Sequence, residues 1–308
     1  MLQEQPTLSP ELFEPIVADT EELEAIHRPS LTFWQDAWRK LRKNRIATAS
    51  MLVIACCVLL ALIGPALVPY GYSATDASSI DIPPNREHWF GTDSLGRDLW
   101  ARTWMGARVS LLIGFVAAFV NSCLGVVIGG IAGYAGGKTD MIIMRIIDIL
   151  YAIPYMIVAI LLMVVLKPGM PSIIVAMVII GWIKSARLVR GQVLSLKNQE
   201  YVLAARKLGA SNFRIIFRHM IPNTLGLIIT DLTMAVPYAI FTEAFLSYIG
   251  LGIQPPQSSW GLLARYGAQN FRVAPFQLFI PAVVISLTML SLNLFGDGLR
   301  DALDPKLR

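Results

Sequence analysis

VSLLIGFVAAFVNSCLGVVIGGIAGYAGG, Val109 to Gly137, runs for 29 residues without a charge. About 20 apolar residues are enough for a helix to cross the hydrocarbon core of a bilayer, so the stretch reads as a membrane span. Other charge-free stretches lie on both sides of it. Ile46 to Val68 gives 23 residues, Ile149 to Leu166 gives 18 and extends backward through Met141, and Val273 to Gly296 gives 24. Pro168 to Ile183 gives 16, and the helix can continue past Lys184 if that side chain snorkels to the interface. A further span begins near Thr224 and contains Asp231 and Glu243. The expectation is an all-α, polytopic membrane protein with six transmembrane helices.

Composition agrees. Of 308 residues 55% are hydrophobic and 15% charged, with a mean hydropathy of +0.57, whereas soluble domains carry about 25% charged residues. A water-soluble globule, a disordered chain and a small disulfide scaffold are excluded. Cys56, Cys57 and Cys123 all sit in apolar runs and are expected to act as small packing residues.

Net charge is +5, and the placement of the charges assigns the excess to topology and not to nucleic acid. Arg39, Lys40, Arg42, Lys43 and Arg45 precede the first span, and the segment from Lys184 to Pro222 holds eight basic residues and one acid, Glu200. With the N-terminus inside, 19 of the 26 basic residues fall on the inner side. The positive-inside rule therefore predicts that both termini and the fourth-to-fifth connection are cytoplasmic. The first 27 residues hold seven acids and no Lys or Arg. That is no secretory signal, and residues 1–31 read as an acidic cytoplasmic tail. Trp34 and Trp38, four apart beside the basic cluster, predict an amphipathic helix at the inner interface, in contact with membrane lipids.

Catalytic ingredients are thin. His27, His88 and His219 are far apart in sequence, and HExxH, CxxC and GxSxG patterns are lacking. Ala132 to Thr139, AGYAGGKT, satisfies a loose phosphate-loop pattern. It follows an apolar helix where a phosphate loop follows a buried strand, and Gly136 and Gly137 suit a tight turn. No catalytic, cofactor or metal residues are expected in this chain.

The informative segment is QEYVLAARKLGASNFRIIFRHMIPN, Gln199 to Asn223. Its residues predict helix, break, helix. Glu200 to Leu208 favours helix, Gly209 can adopt the left-handed conformation that ends one, and Ser211 can cap the next. Asn212 to Met220 then continues to Pro222, in the first turn of the fifth span. Ala204, Ala205 and Gly209 are small, so another surface can approach closely. Arg206, Lys207, Arg214 and Arg218 keep the segment out of the bilayer.

This segment resembles the cytoplasmic loop of ATP-binding cassette importer permeases, E-A-A, three residues, Gly, nine residues, I-x-L-P. Ala204, Ala205, Gly209 and Pro222 fall at the matching positions, Leu203 replaces the glutamate, and His219 takes the first apolar position. GTDSLGRDLWART from Gly91, GARVSLLIG from Gly106, ARLVRGQVLSLK from Ala186, EAFLSYIGLGIQPPQSSWG from Glu243 and the ending GDGLRDALDPKLR are similar to the C-type permease subunit of oligopeptide and dipeptide importers. The resemblance covers nearly all of the chain from about Thr32.

It implies a type I importer permease fold. Residues 32–106 would hold the interfacial helix, first span and extracytoplasmic loop, and residues 107–308 a five-helix core with the coupling loop at 184–222. It implies as partners a homologous B-type permease subunit, two cytoplasmic ATPase subunits that bind the ATP and Mg, and an extracytoplasmic peptide-binding protein, at the bacterial inner membrane. Tyr201, Ala204, Ala205, Lys207, Gly209, Ser211, Asn212 and Pro222 are the ATPase-coupling candidates.

Asp231 and Glu243 are the two charges inside the fifth span. Either lines the pathway, or, for Glu243, caps backbone near the Gly250 and Gly252 break; Pro237 between them could kink the helix. Residues 69–108 carry five acids and four bases and read as a solvated loop; the resemblance adds docking of the binding protein there and at Gln254 to Arg272. Rival readings are a permease for nickel or other small solutes in the same family, a stand-alone secondary transporter or channel, and an intramembrane protease, which the missing nucleophile–base constellation disfavours.

Overall fold

The computed structural model describes residues 32–303. The acidic tail, with His27 and Arg28, and the final residues from 304 lie outside the described residues. The chain divides into two units, Met1–Asp36 and Ala37–Arg308, and the membrane-spanning helices all belong to the second.

Helix α1 (Phe33–Lys43) is amphipathic as expected, with Trp34 and Trp38 exposed and Ala37 and Leu41 buried. Asn44 ends it and caps α2 (Arg45–Ile63), its Oδ1 accepting from the amides of Ile46 and Ala47 at 3.1 Å. A 3-10 turn, Gly64–Leu67, completes this first span. The second span is the 37-residue α3 (Leu99–Ala135), which starts where Asp98 accepts from the Ala101 amide at 2.8 Å. It therefore begins ten residues before the charge-free stretch. At 1.5 Å per residue it is about 55 Å long, well beyond the hydrocarbon core of about 30 Å.

The third span, expected over Ile149 to Leu166 with an extension back through Met141, is broken. Helices α4 (Gly137–Tyr151) and α5 (Tyr155–Val165) meet at a 77° bend. Pro154 lacks an amide proton and pushes Ile153 away from helical angles, so the helix stops there. The fourth span continues past Lys184: α6 (Met170–Gly181) and α7 (Ile183–Leu196) together form a 27-residue span. Arg187 and Arg190 on α7 reach back to α4, with Arg187 Nη2 2.7 Å from Asp148 Oδ1 and Arg190 Nη2 2.6 Å from Asp140 Oδ2.

Helix α8 (Glu200–Lys207) follows, then α9 (Asn212–Arg214), which passes through a π-helical turn, Ile215–Met220, into α10 (Ile221–Tyr248). Helix α10 is continuous across Pro237. A short helix α11 (Trp260–Gln269), which hydropathy did not announce, precedes the last span, α12 (Phe276–Leu303). The described residues thus contain five long apolar helices plus the bent pair, six spans in all when that pair is taken as one.

Lipid tails are as apolar as leucine, so helices in a bilayer associate through close packing. The seam between α3 and α7 shows it. Gly125, Gly129 and Gly133 repeat every fourth residue on one face of α3. A Cβ at any of them would collide with α7, at Ser185, at Ala186 or at Arg190 and Val193. Farther along, Gly114 of α3 is filled by Ile240 of α10, and Gly298 of α12 by Ala47 of α2. Of the cysteines, only Cys57 is packed, its Sγ 3.5 Å from Thr288 Oγ1. Cys56 and Cys123 are exposed on the outer faces of their helices, which corrects the packing expectation for two of three.

Candidate coupling site

The fourth-to-fifth connection folds as helix, break, helix. Helix α8 ends in a Schellman arrangement: the Gly209 amide donates to the Arg206 carbonyl at 3.0 Å and the Ala210 amide to the Ala205 carbonyl at 3.1 Å. Gly209 supplies the required positive φ of 80°, and no atom lies within 4 Å of where its Cβ would be. Ser211 caps the next helix, its Oγ accepting from the Arg214 amide at 3.3 Å. Pro222 occupies the second position of α10, and the helix runs into it from α9 instead of starting anew. Pro222 has no amide proton to offer and its ring crowds the preceding turn. That turn is widened, the Ile221 amide donating to the Ile216 carbonyl five residues back, and Asn223 Nδ2 takes up the His219 carbonyl at 2.6 Å.

The segment has two faces. Val202, Ile215, Ile216 and Met220 enter a core with Tyr134 of α3 and Val189 and Val193 of α7. Facing outward are Tyr201, Leu203, Leu208, Phe213 and Phe217, with Leu208 88% and Phe213 70% exposed. The rings of Phe213 and Phe217 lie 4.4 Å apart. Around them Ala204, Lys207, Ser211 and Asn212 are exposed, as are Arg206, Arg214 and Arg218. Single exposed apolar residues are ordinary, but a contiguous patch marks an interaction surface. The three small residues do not form one surface, however. Ala204 and Gly209 face outward, whereas Ala205 is buried, because residues 202 and 205 share the face that packs on α3 and α7. Partial burial pushes the Tyr201 hydroxyl above the ordinary phenol range, so it stays a neutral donor.

The two intramembrane acids separate. Glu243 is fully buried in a hub. Ser110 Oγ of α3 donates to its Oε2 at 2.6 Å and Ser247 Oγ to its Oε1 at 2.8 Å. Each serine in turn accepts a backbone amide, Trp260 at 3.3 Å for Ser110 and Ile253 at 3.2 Å for Ser247. The carboxylate thus joins α3, α10 and the start of α11. Asp231 accepts from Ser185 Oγ of α7 and lies 4.0 Å from the ammonium of Lys184.

The loop between the first and second spans is folded, not merely solvated. His88, Thr92, Asp93, Arg97, Asp98 and Arg102 are all buried. His88 Nδ1 is 2.8 Å from Asp98 Oδ2, Arg97 Nε 2.7 Å from Asp93 Oδ2, and Arg102 Nε 3.4 Å from the same oxygen. Asp81 Oδ1 accepts from Asn270 and Gln277 at 2.8 and 2.7 Å, tying the loop to the segment from Gln254 to Arg272 and to α12. Of the charges that suggested solvation, Asp93, Asp98, Arg97 and Arg102 are buried in ion pairs inside the loop, whereas Asp76, Arg86 and Glu87 are exposed.

The phosphate-loop pattern at Ala132 to Thr139 is a helix–helix turn, with Gly136 at φ 65° and Gly137 at φ 54° between α3 and α4. Among the described residues no three His, Cys, Asp or Glu gather as metal ligands. Tyr134, Ser110, Ser247 and the glycine seam were not singled out by sequence reading. Of these only the seam carries a sequence signal, three glycines at intervals of four.

Comparison with known proteins bears on this arrangement. A family model described as "Binding-protein-dependent transport system inner membrane component" matches residues 125–308, and one described as "N-terminal TM domain of oligopeptide transport permease C" matches residues 32–84. The chain is 51% identical to the oligopeptide transport system permease protein OppC of Bacillus subtilis, covering 96% of this chain and 97% of that one. It is also 51% identical to the dipeptide transport system permease protein DppC of the same organism, over 93% and 90%. To the glutathione transport system permease protein GsiD of Pectobacterium atrosepticum it is 39% identical, over 90% and 92%. Among solved structures, a chain of the inward-facing MetNI methionine ABC transporter aligns with a TM-score of 0.53 at 18% identity, covering 65% of this chain and 97% of that one. That likeness is one of fold.

Proposed function

We propose a role for this chain from one premise: it belongs to the family of binding-protein-dependent transport system inner membrane components. It is a membrane-spanning permease subunit of the importer type, a transport subunit and not an enzyme. Its solute is a peptide, with oligopeptides favoured over dipeptides. It forms half of the pathway beside a homologous permease subunit, both termini cytoplasmic. Two ATPase subunits hold the ATP and Mg, and an extracytoplasmic protein delivers the peptide to the folded outer loop.

The observation that carries the coupling role is the outward face of residues 200–218, which exposes Tyr201, Leu203, Leu208, Phe213 and Phe217 together with Lys207, Arg214 and Arg218, set on a segment whose inner face packs on α3 and α7. An ATPase groove of matching apolar and acidic character would seat on Leu208 and Phe213. Closure of the ATPase pair would then move the segment as a rigid body and switch the pathway between outward and inward access. The switch needs ATP to favour one ATPase state over the other; the permease contributes the two-state element.

Gly209→Glu tests the docking. A side chain at φ 80° costs about 1–2 kcal/mol of backbone strain, and it would project into the space the ATPase needs. The variant should reach normal membrane levels, since a Cβ there meets nothing, yet lose peptide uptake. Uptake at the wild-type rate by a well-inserted variant would refute the assignment.

A further inference from the structure

We propose that Tyr134 is a positioning residue that clasps the two halves of the coupling segment across the Gly209 break, so that both move with α3; the inference rests on the coupling role proposed above. Tyr134 lies at the cytoplasmic end of α3. A tyrosine there commonly faces lipid headgroups, but this ring is 8% exposed and turned into the protein. Its hydroxyl donates to Asn212 Oδ1 at 2.8 Å. Its ring has the Arg206 guanidinium 5.4 Å away and the Lys197 ammonium 5.9 Å away, within the range of cation–π attraction.

Those three partners come from three successive pieces of chain. Lys197 follows α7, Arg206 lies in α8, and Asn212 opens α9. One side chain thus touches residues before and after Gly209. The break holds itself only by the two Schellman hydrogen bonds and by Ala210 against the core; outward it is open, with space where a Gly209 Cβ would be and Leu208 the most exposed of the large apolar residues on the segment. Backbone continuity links α8 only to α7, and α9 only to α10. Tyr134 adds a direct link from both halves to α3.

Helix α3 is well placed to use that link. The glycine seam fixes it to α7, and through Ser110 it shares the Glu243 hub with α10 and α11. At its far end, Asp98 and Arg102 belong to the buried polar cluster of the outer loop. The apolar core already ties Val202 and Ile215 to α3 and α7; the hydrogen bond and two cations of Tyr134 add a directional link from both sides of residue 209 to α3.

The test is peptide transported per ATP hydrolysed, in proteoliposomes holding the complete complex. Tyr134→Phe keeps the ring and its volume and removes only the hydroxyl. The ratio should fall about five-fold, the factor that corresponds to one hydrogen bond of ordinary net strength, with assembly unchanged. Tyr134→Phe placed on Asn212→Ala should cause no further fall, because the pair is already broken. A wild-type ratio in Tyr134→Phe, or losses that multiply in the double variant, would overturn the clasp. So would failure of Tyr134→Phe to assemble, which would make the hydroxyl structural. Absence of ATP-driven transport by the wild-type complex would instead overturn the coupling reading beneath it.

Discussion

Gly209 and Glu243 mark what a single residue discloses in sequence. Gly209 was legible because its partners are local: a helix former on one side, a capping serine two residues later, and a backbone conformation that glycine adopts at no steric cost. Glu243 was not, because its partners lie elsewhere in the chain; Ser110 is 133 residues away. An acid inside a span is costly and calls for a cavity or partners; the sequence could not say which, and the structure supplies partners. Glu243→Ala leaves the Ser110 and Ser247 hydroxyls without their buried acceptor, a loss of about 1–3 kcal/mol per orphaned group. The expected outcome is a lowered melting temperature of the detergent-solubilised complex, with Glu243→Gln closer to wild type because the amide oxygen still accepts one hydroxyl. Unchanged melting in Glu243→Ala would contradict the hub.

Elements show where hydropathy stops being informative. It marks where the chain is free of charge, not where a helix begins or ends. Helix α3 starts ten residues before its apolar stretch because Asp98 caps it, and α7 runs thirteen residues past Ile183 because Arg187 and Arg190 find Asp148 and Asp140 on α4. Basic residues are good helix formers, so a charge ended the apolar pattern without ending the helix. The broken third span was foreshadowed only by Pro154, whose effect on α4 and α5 is a 77° bend. Packing at the α3–α7 seam makes its own prediction. Gly129→Leu would drive a side chain into the Ala186 carbonyl and the Arg190 amide, both backbone atoms that cannot rotate away. Overpacking of this kind costs about 1–3 kcal/mol or more, and the variant should show reduced folded yield by size-exclusion chromatography. An equal yield would mean that α3 and α7 can separate without loss.

At the scale of the molecule, one helix contacts both ends of the problem. The charge-free stretches predicted six spans and the charge bias a cytoplasmic connection between the fourth and fifth; the helices among residues 32–303 agree in number when the bent pair is one span. The coupling segment hangs beneath α3 and α7, and the outer loop closes over the opposite end of α3 through Asp93, Asp98 and Arg102. In the coupling role proposed above, such an assembly transports only when the ATPases act on residues 200–218. The most direct measurement is uptake of a labelled peptide into proteoliposomes holding this chain with its partner permease, the two ATPases and the binding protein. Uptake is predicted to need ATP and to cease when either the ATPases or the binding protein are left out. Uptake driven by an ion gradient in the absence of ATP, or by this chain alone, would contradict the account.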